Sequence, residues 1–138
     1  MAPNLEKLQG LRILVAEDEL LVLLVLENML REIGCEVVGP VATVDAALDA
    51  ISRGGIDGAL LDMNLHGRRI TPAVEELVAR GIPFLLCTGY GRSPREEPVI
   101  RDAPRLTKPF NLENLRTAVG AIFIDAARCG SLPQKVVR

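Results

Sequence analysis

Several apolar runs of this chain end on a polar side chain. Asp62 closes GALLD, the acids Glu17, Asp18 and Glu19 follow RILVA, Thr88 follows PFLLC, and Lys108-Pro109 follows RLT. A carboxylate at the mouth of a buried strand is costly unless something compensates for it. Several carboxylates converging on one crevice also repel, and push one another's pKa values up. A hard divalent cation resolves that conflict. Mg²⁺ takes carboxylates, carbonyls and waters, commonly with a phosphate completing the octahedron. A hydroxyl and an ammonium across the crevice would hold the remaining oxygens of a transferred phosphoryl group. These residue types point to Mg²⁺-assisted phosphoryl transfer onto or through Asp62.

The elements that must position these groups alternate along the chain. RILVA (12–16) precedes an apolar-rich helical segment from Leu20 to Ile33, closed by Gly34 in the manner of a helix C-cap. EVVGPV (36–41) precedes a helix with Thr43 as its N-cap and Gly54-Gly55 as its stop. GALL (58–61) precedes Thr71–Arg80, with Pro72 in the first turn and Gly81 beyond the end. PFLLC (83–87), a proline-broken stretch, RLT (105–107) and a last helix capped by Asn111 complete the series. Strand and helix alternating in this way predict an α/β domain with a parallel sheet covered on both faces. The strands are continuously apolar, as strands buried on both sides are. Ligands of such sheets bind outside the carboxyl ends of the strands, where the polar residues fall.

The 138 residues, 49% of them hydrophobic, suit one domain with one core. The expected domain runs from 11 to 128, with tails at 1–10 and 129–138 and no output domain. Sixteen basic against 18 acidic residues leave a net charge of -2, no electrostatic footprint for nucleic acid or an anionic membrane. The chain shows no apolar signal core and no membrane-length apolar window, so a cytoplasmic protein is expected. Cys35, Cys87 and Cys129 lack metal-type spacing and read as reduced thiols. His66 reads as a solvated loop residue, and Glu19 as a residue equally suited to capping the first helix.

With these residues in place, ILVAEDE, ALLDMNLHG, LLCTGYG and LTKPF, in that order and each at a strand end, resemble the receiver domain of two-component response regulators. The resemblance covers the chain from about Leu11 to Arg128. It implies a flavodoxin-like, doubly wound five-stranded parallel sheet of order 2-1-3-4-5. It also implies that Asp62 accepts a phosphoryl group from a sensor histidine kinase or histidine phosphotransfer protein, with Mg²⁺ as cofactor. By position, Glu17 and Asp18 match the acid pair, with Asp18 the direct ligand, and Asn64 matches the residue whose backbone carbonyl binds the metal. Thr88 matches the hydroxyl that moves toward the phosphoryl group, Lys108 the lysine that pairs with it, and the Lys108–Pro109 peptide is expected to be cis. TGYG is similar to a single-domain subgroup named for a Phe-Ala-Thr-Gly-hydrophobic-Tyr motif, although Leu86 and Cys87 replace Phe and Ala, and Tyr90 directly follows Gly89.

The sequence departs from the family in three places. Arg105 stands where receivers carry an aromatic switch residue, which leaves Tyr90 to take over part of that relay. Pro94, Pro98 and Pro104 limit the fourth helix to a turn or two between Gly91 and Asp102, and predict a segment that orders on phosphorylation. Arg92, Arg95 and Arg101, mixed with Glu96, Glu97 and Asp102, read as a solvated charged loop. The first helix is apolar all round. Val22, Val25, Leu26, Met29 and Leu30 are expected to face the core, leaving Leu20, Leu23 and Leu24 as a patch for a homodimer or for the phosphoryl donor.

The leading reading is a stand-alone signalling switch, not an enzyme, that acts as a phosphorelay step or phosphate sink and hands its state to a downstream protein. Two alternatives remain. A phosphatase of the haloacid dehalogenase type needs a second acid two residues after the nucleophile, to protonate the leaving group and activate water, and Asn64 stands there. A pseudo-receiver would bind partners without phosphorylation. Asn64 and Tyr90 occupy the positions that flank attacking water in receivers, and a bulky Tyr90 is expected to slow hydrolysis.

Overall fold

The computed structural model describes residues 8–89 and 95–124. Strand β1 (Arg12–Ala16) leads to helix α1 (Leu20–Ile33), β2 (Glu36–Val41) to α2 (Val44–Arg53), and β3 (Gly58–Asp62) to a short hairpin, β4 (Asn64–Leu65) and β5 (Arg68–Arg69). Helix α3 (Thr71–Ala79), strand β6 (Phe84–Thr88), α4 (Pro98–Arg101), β7 (Arg105–Thr107) and α5 (Leu112–Val119) follow, and α5 runs on as a π-helical turn over Gly120–Ile124. The main sheet has the order β2-β1-β3-β6-β7, and every pairing in it is parallel. This is the doubly wound order anticipated from the sequence, with the inserted hairpin shifting only the strand numbers. The Lys108–Pro109 peptide is cis.

Alternate strand residues build two cores, one on each face of the sheet. Leu14, Ala16, Ala59, Leu61 and Leu86 meet α2, α3 and α4. Ile13, Val15, Leu60, Leu85 and Cys87 meet α1, α5 and the π-turn. Each leucine buried completely there contributes about 1.5–3 kcal/mol. Both layers are needed because a parallel sheet has no face to spare for water. Gly58 opens β3 beside the Phe123 ring, which a Cβ at that position would approach to 2.8 Å. A side chain there would push the π-turn off the sheet.

The caps agree with the sequence. Thr43 Oγ1 accepts from the Ala46 amide at 3.1 Å, and Asn111 forms a reciprocal capping box with Asn114. Gly34 adopts φ 109 at the end of α1, a left-handed cap that only glycine takes without strain. Glu19 occupies the N-cap position of α1 but its side chain makes no capping bond.

Two sequence expectations are corrected. In α1 the buried residues are Leu26, Leu30 and Ile33, spaced i, i+4 and i+7. Val25, about 100° round the helix from Leu26, is 51% exposed instead of facing the core. Leu23 is half-buried against the α5-side core, so it leaves the proposed patch. The exposed set is Leu20, Leu21, Leu24 and Val25. The charged stretch after β6 is not wholly solvated either, because Glu96 and Arg105 are both buried.

Helix α4 is the single turn Pro98–Arg101, with proline in the first position, where its missing N–H costs nothing. The rest of the segment expected to order on phosphorylation includes 90–94, and with them Tyr90, Arg92 and Pro94 lie outside the described residues. So does Cys129. Among the described residues no helix is long and apolar enough to cross a membrane.

Candidate functional site

The carboxyl ends of β1, β3, β6 and β7 bring the polar residues together. Asp62 ends the central strand, level with Cys87 on β6. Glu17 leaves β1 with its amide bonded to the Val41 carbonyl at 3.0 Å, which ties the backbone at the strand end to β2. Glu17, Asp18 and Asp62 each place a carboxylate oxygen within 4.8 Å of the other two. Lys108 reaches in from the end of β7, with Nζ 3.0 Å from Glu17 Oε2 and 3.7 Å from Asp62 Oδ1. Thr88 ends β6, buried and level with Thr107, and its carbonyl accepts from the Lys108 amide at 2.8 Å. Glu17, Asp18, Asp62 and Lys108, from separate strands, therefore share one crevice, and Thr88 stands at the same end of the sheet.

Hydrogen bonds divide the roles of the acids. Glu17 is committed on both oxygens, since Oε1 accepts from the Glu19 amide at 3.1 Å and Oε2 faces Lys108. Thus Glu17, not Glu19, satisfies an amide at the start of α1. Asp18 accepts one bond, from the His66 amide to Oδ2 at 2.8 Å, and Asp62 Oδ1 accepts from the Met63 amide at 2.8 Å. A trio of carboxylates this close, all hard oxygen donors, fits Mg²⁺. Asn64 is exposed at the start of the hairpin, within two residues of Asp62, and its side-chain amide does not ionise, so it cannot serve as a general acid or base.

The electrostatics reflect the crowding. Burial, reinforced by the Glu17 charge, pushes the Asp62 carboxyl up to about 6, although Lys108 and the Met63 amide pull the other way. For Lys108, burial disfavours the charged form, but the Glu17 hydrogen bond and the Asp62 and Glu17 charges outweigh it, and the net shift is upward. Burial also pushes the Cys87 thiol up to about 12, which makes it inert packing beside the site.

Arg105 is the residue whose setting differs most from expectation. Its side chain is 4% exposed and that of Glu96 7%, and Nη2 lies 3.0 Å from Glu96 Oε1. The same nitrogen donates to the Ile100 carbonyl at 3.0 Å, while Nε and Nη1 are buried without a hydrogen-bond partner. Sequence reasoning missed Glu96 because its partner stands nine residues on, beyond α4, where no local pattern pairs them. It also missed the hairpin, whose His-Gly pair between short runs is the available signal.

Beside the site, α1 and the chain after Lys108 frame a groove of about 310 Å³, lined by Leu21, Val22, Val25, Leu26, Lys108, Pro109 and Phe110. Of the exposed apolar residues of α1, Leu21 and Val25 line this groove.

A family model for the response regulator receiver domain matches residues 13–120. The transcriptional regulatory protein PdtaR of Mycobacterium tuberculosis is 31% identical over 112 residues, which cover 78% of this chain and 54% of PdtaR. The chain thus spans about half the length of that curated relative. The solution structure of SdrG from Sphingomonas melonis Fr1 superposes with a TM-score of 0.70 at 41% identity, covering 80% of this chain and 93% of SdrG. The receiver domain of sensor histidine kinase PA1611 from Pseudomonas aeruginosa PAO1, solved with magnesium in its active-site cleft, gives a TM-score of 0.70 at 29% identity, over 80% of this chain and 95% of that one. Fold, crevice and sequence agree: the chain belongs to the response regulator receiver domain family.

Proposed function

We propose that this receiver is a Mg²⁺-dependent phosphorylation switch with Asp62 as the acceptor. The convergence of Asp62 with Asp18, Glu17 and Lys108 carries the reading. An Asp62 oxygen attacks the phosphorus of a donor phosphohistidine. The O–P bond forms as the P–N bond breaks, and that electron pair stays on the imidazole nitrogen. With its pKa near 6, Asp62 is mostly ionised at pH 7, as a nucleophile requires. Asp18 and the Asn64 carbonyl would hold Mg²⁺, which when bound offsets the negative charge of the transferring group. Lys108 turns from Glu17 toward the phosphoryl oxygens, and the Thr88 hydroxyl takes another of them. Asn64 supplies no acid for rapid turnover, which favours a held phosphate over a phosphatase.

The donor is a histidine kinase or phosphotransfer protein, docked on the exposed apolar face of α1 beside the Lys108 groove. The state of the site is then read by a downstream protein. Two free, buried cysteines, Cys35 and Cys87, suit a reducing compartment such as the cytoplasm. In place of an aromatic relay, the buried Arg105–Glu96 pair ties the segment before α4 to β7.

The decisive experiment is incubation with Mg²⁺ and a small acyl phosphate or a phosphorylated donor domain, followed by intact mass. One added phosphate on the wild type and none on Asp62→Asn is expected. No adduct from either donor removes the switch reading and leaves a phosphorylation-independent binding module. Rapid release of inorganic phosphate with no adduct would instead indicate a phosphatase.

A further inference from the structure

The hairpin between Asp62 and α3 has no role in the sheet, yet it is built with some care. Strands β4 and β5 pair antiparallel, Asn64 with Arg69 and Leu65 with Arg68. The two residues between them, His66 and Gly67, have φ 50 and 80, the sign pattern of a type I′ turn. His66 is the one non-glycine residue with positive φ among the described residues. An L-residue there is held against its own preference, so something must over-determine the turn.

The surroundings show what does. Leu65, Met63 and Ile70 are buried in the core on the α2–α3 face, and the Ile70 amide closes the base of the ribbon on the Met63 carbonyl at 2.9 Å. Arg68 ties the outer strand to Asp45 of α2 at 3.1 Å. So anchored, the turn aims the His66 amide at Asp18 Oδ2, 2.8 Å away. Among the described residues this is the only hydrogen bond to the Asp18 carboxylate. The imidazole itself is exposed and takes no part.

We propose that the β4–β5 hairpin is the positioning element of the cation site, and that the left-handed backbone of His66 is its working part. This rests on the reading of the acidic crevice as an Mg²⁺ site. One ribbon then carries both the Asn64 carbonyl and the amide that orients Asp18. Asp18 follows β1 in a loop, and its free oxygen needs a fixed direction before a cation with strict octahedral geometry can use it. The His66 amide supplies that direction from outside the ligand shell, as oriented partners of metal ligands do. What matters at position 66 is conformation and the N–H, not the imidazole.

Mg²⁺ titration of the intact protein, followed by calorimetry or amide chemical shifts, tests this without any phosphoryl chemistry. His66→Gly keeps the N–H and relaxes the strain, and should bind within about twofold of the wild type. His66→Val, β-branched and ill suited to positive φ, should turn the amide away and weaken Mg²⁺ about tenfold. In an Asp18→Ala background the same His66→Val substitution should make no further difference. Amide spectra of the main sheet confirm that each variant is folded. Equal affinity for the His66→Val variant and the wild type, or equal losses for the two substitutions at His66, would overturn the inference. If the wild type itself binds no Mg²⁺, the cation reading fails and takes this one with it.

Discussion

Asp62 is held where burial and the Glu17 charge disfavour its ionised form, so its carboxyl titrates near 6, above the ordinary 3.8. Between about pH 4 and pH 6 the folded chain therefore holds a proton that the unfolded chain has lost. Stability is fully present below that window and falls as pH rises through it. Above pH 6 the term is flat. Urea unfolding without divalent cations should show this fall in the wild type and not in Asp62→Asn, with the variant the more stable at pH 7.5. Adding Mg²⁺ at pH 7.5 should narrow the gap by stabilising only the wild type. A wild type and variant with the same pH dependence would mean that Asp62 is not strained in this way. The acids around it were readable as a cluster, because their positions at strand ends follow from chain order alone. The division of labour among them was not, since it depends on which amide and which ammonium each oxygen meets.

Among the elements, the connection from β6 to β7 carries a buried ion pair. A buried guanidinium on β7 and a buried carboxylate before α4 form a pair with poor satisfaction elsewhere on the arginine. Breaking such a pair by removing one partner typically costs 3–5 kcal/mol, whereas replacing both by apolar groups is often neutral. Arg105→Met should therefore lower stability by about 3 kcal/mol, and Arg105→Met with Glu96→Leu should recover most of that. Chemical denaturation of the four proteins of this cycle is the measurement, and additive losses would show the pair to be uncoupled. If the pair also transmits the state of the site, a beryllofluoride adduct should alter amide exchange over 95–103 in the wild type and not in the folded double variant. The prolines made the shortness of α4 legible beforehand. Nothing local marked Glu96 as buried, because neighbouring Arg95 and Glu97 are exposed and mixed charge reads as solvent-facing.

At the level of the whole molecule, one face is apolar without need of the core. Leu20, Leu21 and Leu24 are 67%, 77% and 47% exposed on α1, and Leu21 also lines the groove that Lys108 borders. The proposed docking of a donor rests on this patch, since larger exposed apolar patches tend to form contact surfaces. Replacing Leu20, Leu21 and Leu24 with Gln should slow phosphotransfer from a donor protein about tenfold or more while leaving labelling by acyl phosphate unchanged. Loss of both reactions together would point to damage at the site, and loss of neither would remove the patch from donor binding. Sedimentation of the same variant separates donor docking from self-association, since a homodimer through α1 would dissociate.

What the sequence determined by itself was the order of elements, the parallel sheet and the set of polar residues at its carboxyl edge. Those follow from local periodicity, capping residues and chain order, which a string of letters carries directly. The tertiary structure decided which face of α1 is buried, because helical phase is set by the sheet it lands on and a helix apolar all round offers no stripe to read. It likewise decided that Glu96 and Arg105 meet, and that the backbone of His66 reaches Asp18 across 48 residues of chain. Those contacts join residues 9 and 48 positions apart, outside any local repeat, and only packing brings them within range of a hydrogen bond.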